Sequence, residues 1–219
     1  MTVTTIEAHG RTYRINNPGT GRVGSKLNMG IPYEQKLLNQ VYNDHHTGVA
    51  FDIGAHVGNH TLFFAAVCGL TVHAWEPYDL SRGMLEDNIA LNPGLDITVH
   101  PWAAGDRHTR GRFTTGMWLE FDPERDGDTL KLERGHIPVH PIDDEVNIQN
   151  VAVVKIDVEG MESEVLAGMV NHLDRDRPVV YTEAHTDHDL LKIRRVIGPL
   201  GYKVVRYLHM GSRQVRWEV

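Results

Sequence analysis

Short apolar runs alternate with longer segments of helical period along most of this chain. Val49-Ala50-Phe51-Asp52-Ile53-Gly54 is strand-sized, and residues 58–68 after it carry the apolar spacing of an amphipathic helix. The alternation continues as strand 70–76, helix 79–91 and strand 95–102. It resumes as strand 151–157, helix 161–171, strand 178–184 and helix 187–199. Two final strand candidates, 202–208 and 213–219, are entered through the turn Gly198-Pro199-Leu200-Gly201. Such an order predicts an α/β fold, a doubly wound and mostly parallel sheet with helices on both faces.

Two stretches depart from this rhythm. Residues 1–30 are polar and read as a small β-hairpin and loop, with Asn16-Asn17-Pro18-Gly19-Thr20-Gly21 as the loop. Tyr33–Asn43 then places apolar residues at 33, 37, 38, 41 and 42, the spacing of one helical face. Residues 1–48 are therefore expected to be a hairpin and helix covering the cofactor side of a core at 49–219. Within that core 105–149 is an insertion or lid, too short for a core of its own. Phe113–Phe121 reads as a hairpin strand in it, and Pro123-Glu124-Arg125-Asp126-Gly127-Asp128 as a charged turn.

Composition narrows the class. At 219 residues, 41% hydrophobic and 23% charged, the chain suits one globular domain with a substantial core. Its apolar runs are strand-sized, so no membrane span is expected. The amino terminus lacks the basic-then-apolar pattern of a secretory signal, and the single Cys68 cannot make an internal disulfide. A reducing cytoplasm is the expected compartment. Asp and Glu outnumber Lys and Arg 29 to 22, for a net charge of −7, which disfavours a polynucleotide partner.

The chemistry concentrates first at Asp52-Ile53-Gly54-Ala55-His56-Val57-Gly58-Asn59 and at Trp75-Glu76-Pro77. Glycines at 54 and 58 suit a sharp strand-to-helix turn where a ligand approaches the backbone, and a helix starting near Gly58 aims free N–H groups at it. An acid closing the next strand, Glu76, can accept both hydroxyls of a ribose. A dinucleotide fingerprint would read G-x-G-x-x-G; here the spacing is Gly54-x-x-x-Gly58 with Asp52 just before it. An acid there repels a pyrophosphate and suits a cationic ligand. S-adenosylmethionine offers both a ribose and a cationic methionine end.

The second block is Val153-Val154-Lys155-Ile156-Asp157-Val158-Glu159-Gly160-Met161-Glu162. Alternation starts Lys155, Asp157 and Glu159 on one strand face, at the carboxyl edge where open α/β sheets place ligands. Taken with Phe51–Ala65, Trp75-Glu76-Pro77, Ala103-Ala104-Gly105-Asp106 and Pro141-Ile142-Asp143-Asp144, it closely resembles the FkbM family of S-adenosylmethionine-dependent methyltransferases, colinearly over about residues 33–185. The resemblance implies a class I Rossmann-like methyltransferase that methylates hydroxyl oxygens of sugars, glycans or natural products.

On these motifs the expected cofactor contacts are Asp52, Gly54, Ala55, His56, Gly58, Asn59, Glu76, Pro77, Ala104 and Asp157. The strand 178–184 ends on Glu183 with His185 just beyond, over the same crevice as Asp157. Asp157, Glu159, Glu183 and His185 are the expected catalytic set, orienting and deprotonating an acceptor hydroxyl. Asp157, Glu183 and His185 would be the ligands if a divalent metal is used instead. Trp102, Trp118 and Phe121 are aromatic candidates for stacking on a sugar ring. The acceptor and the oligomeric state stay open.

Two other enzyme classes and one non-enzyme class compete. A DNA amino-methyltransferase would carry an Asp/Asn-Pro-Pro-aromatic loop where this chain reads Asp157-Val158-Glu159-Gly160. A nicotinamide-dependent reductase would need a third glycine in the first turn. A non-catalytic Rossmann protein would not be expected to keep acids at 52, 76, 157, 159 and 183 together.

Overall fold

Helical and extended periodicities sort as expected, with four local departures that matter for the site. The protein is seen in a computed structural model that describes residues 3–16, 21–114, 129–132, 135–208 and 213–219. The charged turn at 123–128 and the residues Trp118 and Phe121 lie outside them. Strands β1 (Val3–Ala8) and β2 (Arg11–Asn16) form an antiparallel hairpin, followed by α1 (Arg22–Asn28) and α2 (Gln35–Asn43). Next come β3 (Val49–Ile53), α3 (Asn59–Ala66), β4 (Thr71–Trp75), α4 (Asp79–Ala90) and β5 (Ile97–His100). The middle of the chain holds β6 (Ala103–Ala104), β7 (Thr109–Thr114), β8 (Thr129–Leu132), β9 (Ile137–His140) and α5 (Ile142–Glu145). The last third runs β10 (Val151–Ile156), α6 (Glu162–Ala167), α7 (Val170–Asp176), β11 (Val179–Ala184), α8 (Asp187–Ile197), β12 (Lys203–Tyr207) and β13 (Arg213–Glu218).

The main sheet has the order β12-β13-β11-β10-β3-β4-β5. β5, β4, β3, β10 and β11 are mutually parallel, and β13 runs antiparallel between β11 and β12. Alternate residues of the strands supply two cores. Ala50, Val72, Val153 and Tyr181 join Leu37, Leu38, Leu62 and Phe63 of α2 and α3 on one face. Phe51, Ile53, Val154, Ile156 and Val180 join Val165, Leu166, Leu173, Ile193 and Ile197 of α6, α7 and α8 on the other. The sheet is thus doubly wound.

The helix after the glycine turn is not amphipathic. Asn59 to Ala65 of α3 are all buried, because α2 and β2 cover the face that would otherwise meet water. Residues 22–28 form a helix where a loop was expected; Gly24 and Asn28 masked its short period. The expected strand 95–102 is shorter. β5 ends at His100, and Ala103–Ala104 pairs with β9 in a second sheet of order β6-β9-β7-β8.

The expected helix 161–171 is broken in two. At Gly168 the chain passes so close to Gly105 that a Cβ would sit 1.9 Å from the Gly105 carbonyl oxygen. The start of α7 is then capped from a distance: the Asp143 carboxylate accepts from the N–H of Asn171 at 2.8 Å and of His172 at 3.2 Å. Both partners are remote in sequence, which is why the period of 161–171 reads as unbroken.

Candidate functional site

The glycine turn at the end of β3 is clamped on both sides. The N–H groups of Gly54 and Ala55 both donate to the Trp75 carbonyl at 3.0 Å, tying the turn to the end of β4. Gly54 has φ +83°, and a Cβ there would lie 1.9 Å from the Asp157 carbonyl oxygen. Gly54 is therefore required by the close approach of the segment after β10, where the sequence reading invoked space for a cofactor. Gly58, at φ +94°, caps α3 with its backbone, and its missing side chain makes room for Leu85 of α4, 2.7 Å from the position of a Cβ. His56 between them also adopts a positive φ of 51°.

That conformation turns the His56 N–H onto Glu76. The Glu76 carboxylate accepts from His56 at 2.8 Å on Oε2 and from Tyr78 at 2.9 Å on Oε1. Glu76 is buried at the end of β4. Burial raises its pKa, and the two backbone donors and the charge of Lys155 oppose that rise only in part. Each oxygen keeps a lone pair, since a carboxylate offers about four acceptor directions. Glu76 is thus fixed and still has lone pairs that can accept a pair of hydroxyls.

Asp52 is placed differently from the expectation of a direct contact with a cationic ligand. Its side chain is fully enclosed, accepting from Thr61 Oγ1 at 2.6 Å and facing Lys155 Nζ at 3.1 Å. Asp52 and Lys155 are register partners on β3 and β10, so the ion pair follows from the sheet itself. Lys155 also donates to the Gly54 carbonyl at 2.8 Å and lies 3.7 Å from Asp157 Oδ2. Burial alone would depress the ammonium, but Asp52, Asp157 and Glu34 together push its pKa above the ordinary lysine value. The strand pattern puts Lys155 on the charged edge but gives it no role; a lone cation inside an apolar strand, followed by acids at 157 and 159, is the signal it leaves in the sequence.

Asn59, expected among the cofactor contacts, has its amide engaged by the N-terminal segment. Its amide pairs with the backbone of Tyr33, accepting from the N–H at 2.9 Å and donating to the carbonyl at 3.2 Å. One residue on, His60 Nε2 lies 3.0 Å from Glu34 Oε2. These contacts hold residues 33–34 against the start of α3. Ala55 and Ala104 are buried at the turn and in β6, and Pro77 follows Glu76 into the loop before α4.

The acidic edge is arranged around His185. Its Nε2 lies 3.3 Å from Glu183 Oε2 and 3.5 Å from Glu159 Oε2. The expected convergence of Asp157, Glu183 and His185 is changed in one member: Glu159 stands with the other two, and Asp157 pairs with Lys155. The reason is backbone geometry. β10 ends at Ile156, and Glu159 and Gly160 have φ of +55° and +103°, so strand alternation no longer assigns a face to Glu159. Buried Glu162 holds this turn, accepting from the N–H of Gly160 at 3.2 Å and of Val158 at 3.3 Å. Trp102 is partly buried and meets the rings of Trp75, His100 and His140 edge to face, with centroids 5.9, 5.7 and 5.5 Å away, so it packs against the core.

The Methyltransferase FkbM domain matches residues 52–204. The chain belongs to the FkbM methyltransferase family. Among solved structures it is similar to the FkbM methyltransferase from Methylobacillus flagellatus KT, 23% identical with a TM-score of 0.57 over 78% of this chain and 43% of that one. The FkbM chain described here therefore spans less than half the length of that relative. It is also similar in fold to Escherichia coli yhhF, at 14% identity and TM-score 0.54 over 99% of this chain and 97% of that one. M. jannaschii TYW2, solved in complex with AdoMet, has 13% identity and TM-score 0.50 over 99% and 86% of the two chains. No curated protein matches the sequence. Among the described residues no helix is long and apolar enough to cross a membrane.

Proposed function

We propose that this FkbM-family protein is an S-adenosylmethionine-dependent O-methyltransferase acting on a hydroxyl of a sugar, glycan or natural-product acceptor. The observation that carries the cofactor half is Glu76, whose carboxylate is oriented by two backbone donors at the mouth of the glycine turn. Its free lone pairs match the two hydroxyls of an adenosine ribose. The start of α3 and the Gly54–Gly58 turn supply a cradle of backbone beside it. When bound, S-adenosylmethionine supplies an electrophilic methyl group on a sulfonium.

The protein's own part is to position and to move a proton. Methyl transfer is an in-line displacement, so holding the acceptor oxygen in place provides much of the acceleration. His185 is suited to accept the hydroxyl proton, because Glu159 and Glu183 on either side of its Nε2 hold the ring in place. Asp157 and Lys155 keep the edge of β10 in register with the glycine turn. The same three atoms of Glu159, Glu183 and His185 lie within 4.8 Å of one another and form an oxygen-rich set that a hard divalent cation would also fit, which makes metal-assisted deprotonation the second reading.

The test of the cofactor assignment is titration calorimetry with S-adenosylmethionine and with S-adenosylhomocysteine on wild type and Glu76→Gln. The amide would turn an N–H₂ toward either His56 or Tyr78, setting donor against donor. Affinity should fall by about 10- to 100-fold, the consequence of losing a charged acceptor worth roughly 1.5–3 kcal/mol. Equal affinity in the two proteins would remove Glu76 from the site.

A further inference from the structure

We propose that His108, His140 and Glu145 form a second, separate site for one divalent transition-metal ion of the zinc class. His108 lies in the turn between β6 and β7, His140 ends β9, and Glu145 ends α5. His108 Nδ1 and His140 Nδ1 are 2.8 Å apart, and Glu145 Oε1 is 3.8 Å from the first and 3.6 Å from the second. The circle through three atoms so spaced has a radius of about 2 Å, the length of a zinc–nitrogen or zinc–carboxylate bond. One ion can therefore bond all three without moving any of them far.

The surroundings prepare these atoms as ligands. His108 Nε2 lies 2.9 Å from Asp144 Oδ2, so its proton sits on that nitrogen and the Nδ1 lone pair is left facing His140. A carboxylate behind a ligating imidazole is the usual device for fixing its tautomer and orientation. His140 is steadied on its other sides: its carbonyl accepts from the Gly105 N–H at 3.0 Å, and its ring meets Trp102 edge-on with centroids 5.5 Å apart. Two imidazoles facing each other nitrogen to nitrogen need a cation or a proton between them. A set of two imidazole nitrogens and one carboxylate oxygen selects zinc, cobalt or nickel over magnesium or calcium. The group is half-exposed, so a fourth position stays open to water or to an added ligand. Bound there, the ion would clip the small sheet to α5, and its residues are distinct from the Glu159, Glu183 and His185 cluster.

The experiment is cobalt(II) titration of metal-stripped, tag-free protein, followed by visible absorption and by metal analysis after dialysis, with circular dichroism on every variant. Wild type should take up one ion per chain and give a ligand-field band, which zinc displaces. Glu145→Gln and His140→Ala should weaken binding at least tenfold while His185→Ala retains it. Asp144→Ala should weaken it by about 10- to 100-fold through loss of the supporting carboxylate. Glu145→Gln keeps the size of the side chain, so it decides the matter if His140→Ala does not fold. The proposal is overturned if wild type gives no band and no bound metal, if binding survives Glu145→Gln, or if His185→Ala alone abolishes it.

Discussion

Lys155 and Asp52 stand side by side on neighbouring parallel strands, Nζ 3.1 Å from Oδ1, and both side chains are enclosed. Their pairing joins the two motifs of the family, since the same ammonium also reaches the Gly54 carbonyl and Asp157. Removing only one charge leaves the other buried and uncompensated, which typically costs about 3–5 kcal/mol. Lys155→Met should therefore lower unfolding stability by about that amount in urea titrations. The double variant Lys155→Met with Asp52→Asn should recover a large part of it. A single variant as stable as wild type would show that the pair is not closed as described.

Two glycines with similar backbone angles should respond differently to alanine. Gly54 and Gly160 have φ of +83° and +103°, yet a Cβ on Gly54 meets the Asp157 carbonyl at 1.9 Å and one on Gly160 meets nothing within 4 Å. Gly160→Ala should cost only the backbone strain, about 1–3 kcal/mol. Gly54→Ala must also push β3 and the end of β10 apart, so it should abolish cofactor binding and lower the melting temperature much further. Thermal melts of the two variants side by side check this; equal shifts would mean the Gly54 contact relaxes freely.

What could be read from the sequence follows how local each cause is. The strands and helices of the main sheet are set by apolar spacing within a few residues, and Glu76 is visible because an acid ends an apolar strand. The reason for Gly54 is a carbonyl at Asp157, far along the chain, and the break at Gly168 is a contact with Gly105. Neither leaves a trace in local pattern. The acidic cluster at His185 was legible in its residue types, but its membership depends on the left-handed angles at Glu159 and Gly160, which redirect Glu159 toward His185 and leave Asp157 to Lys155. The remote pairing of Asn59 with Tyr33 likewise needs the N-terminal segment to be in place first.

A stacked histidine pair should make the fold acid-sensitive. His73 Nδ1 and His100 Nε2 are 3.0 Å apart, and His100 stacks on Trp75 with centroids 4.3 Å apart. Burial, and then the neighbouring His73, lower the His100 pKa to about 4; burial also lowers that of His73, with nearby Asp96 opposing it weakly. Between an unfolded value of about 6.5 and the folded value, the unfolded chain binds a proton that the folded chain refuses. Stability should therefore be unaffected by this group above about pH 6.5 and fall as the pH drops toward 4. The expected loss is on the order of 2 kcal/mol. Denaturant titrations across this range should show a shallower acid loss for His100→Gln than for wild type, and parallel profiles would assign the acid sensitivity elsewhere.

The last expectation separates the members of the acidic edge by what each touches. His185 lies between Glu183 and Glu159, so His185→Ala and Glu183→Gln should lower kcat by about 10²–10⁴ on an acceptor found by screening hydroxylated sugars and natural products, the usual range for a lost general base. Affinity for S-adenosylmethionine should change little in both, because neither side chain is among those that hold Glu76 or the glycine turn. Asp157→Asn should behave differently: it weakens the hold of Lys155 on the turn, so its effect should fall on cofactor affinity and stability together. Glu162→Ala, which frees the N–H groups of Val158 and Gly160, should resemble the His185 variant in kcat while leaving the imidazole itself present. Running the same assays in chelator distinguishes the two ways of removing the hydroxyl proton. Full activity in chelator with a disabled His185→Ala supports the imidazole base, and activity restored by magnesium or manganese after chelation supports the metal. A fully active His185→Ala and Glu183→Gln pair would move the deprotonation step to other residues.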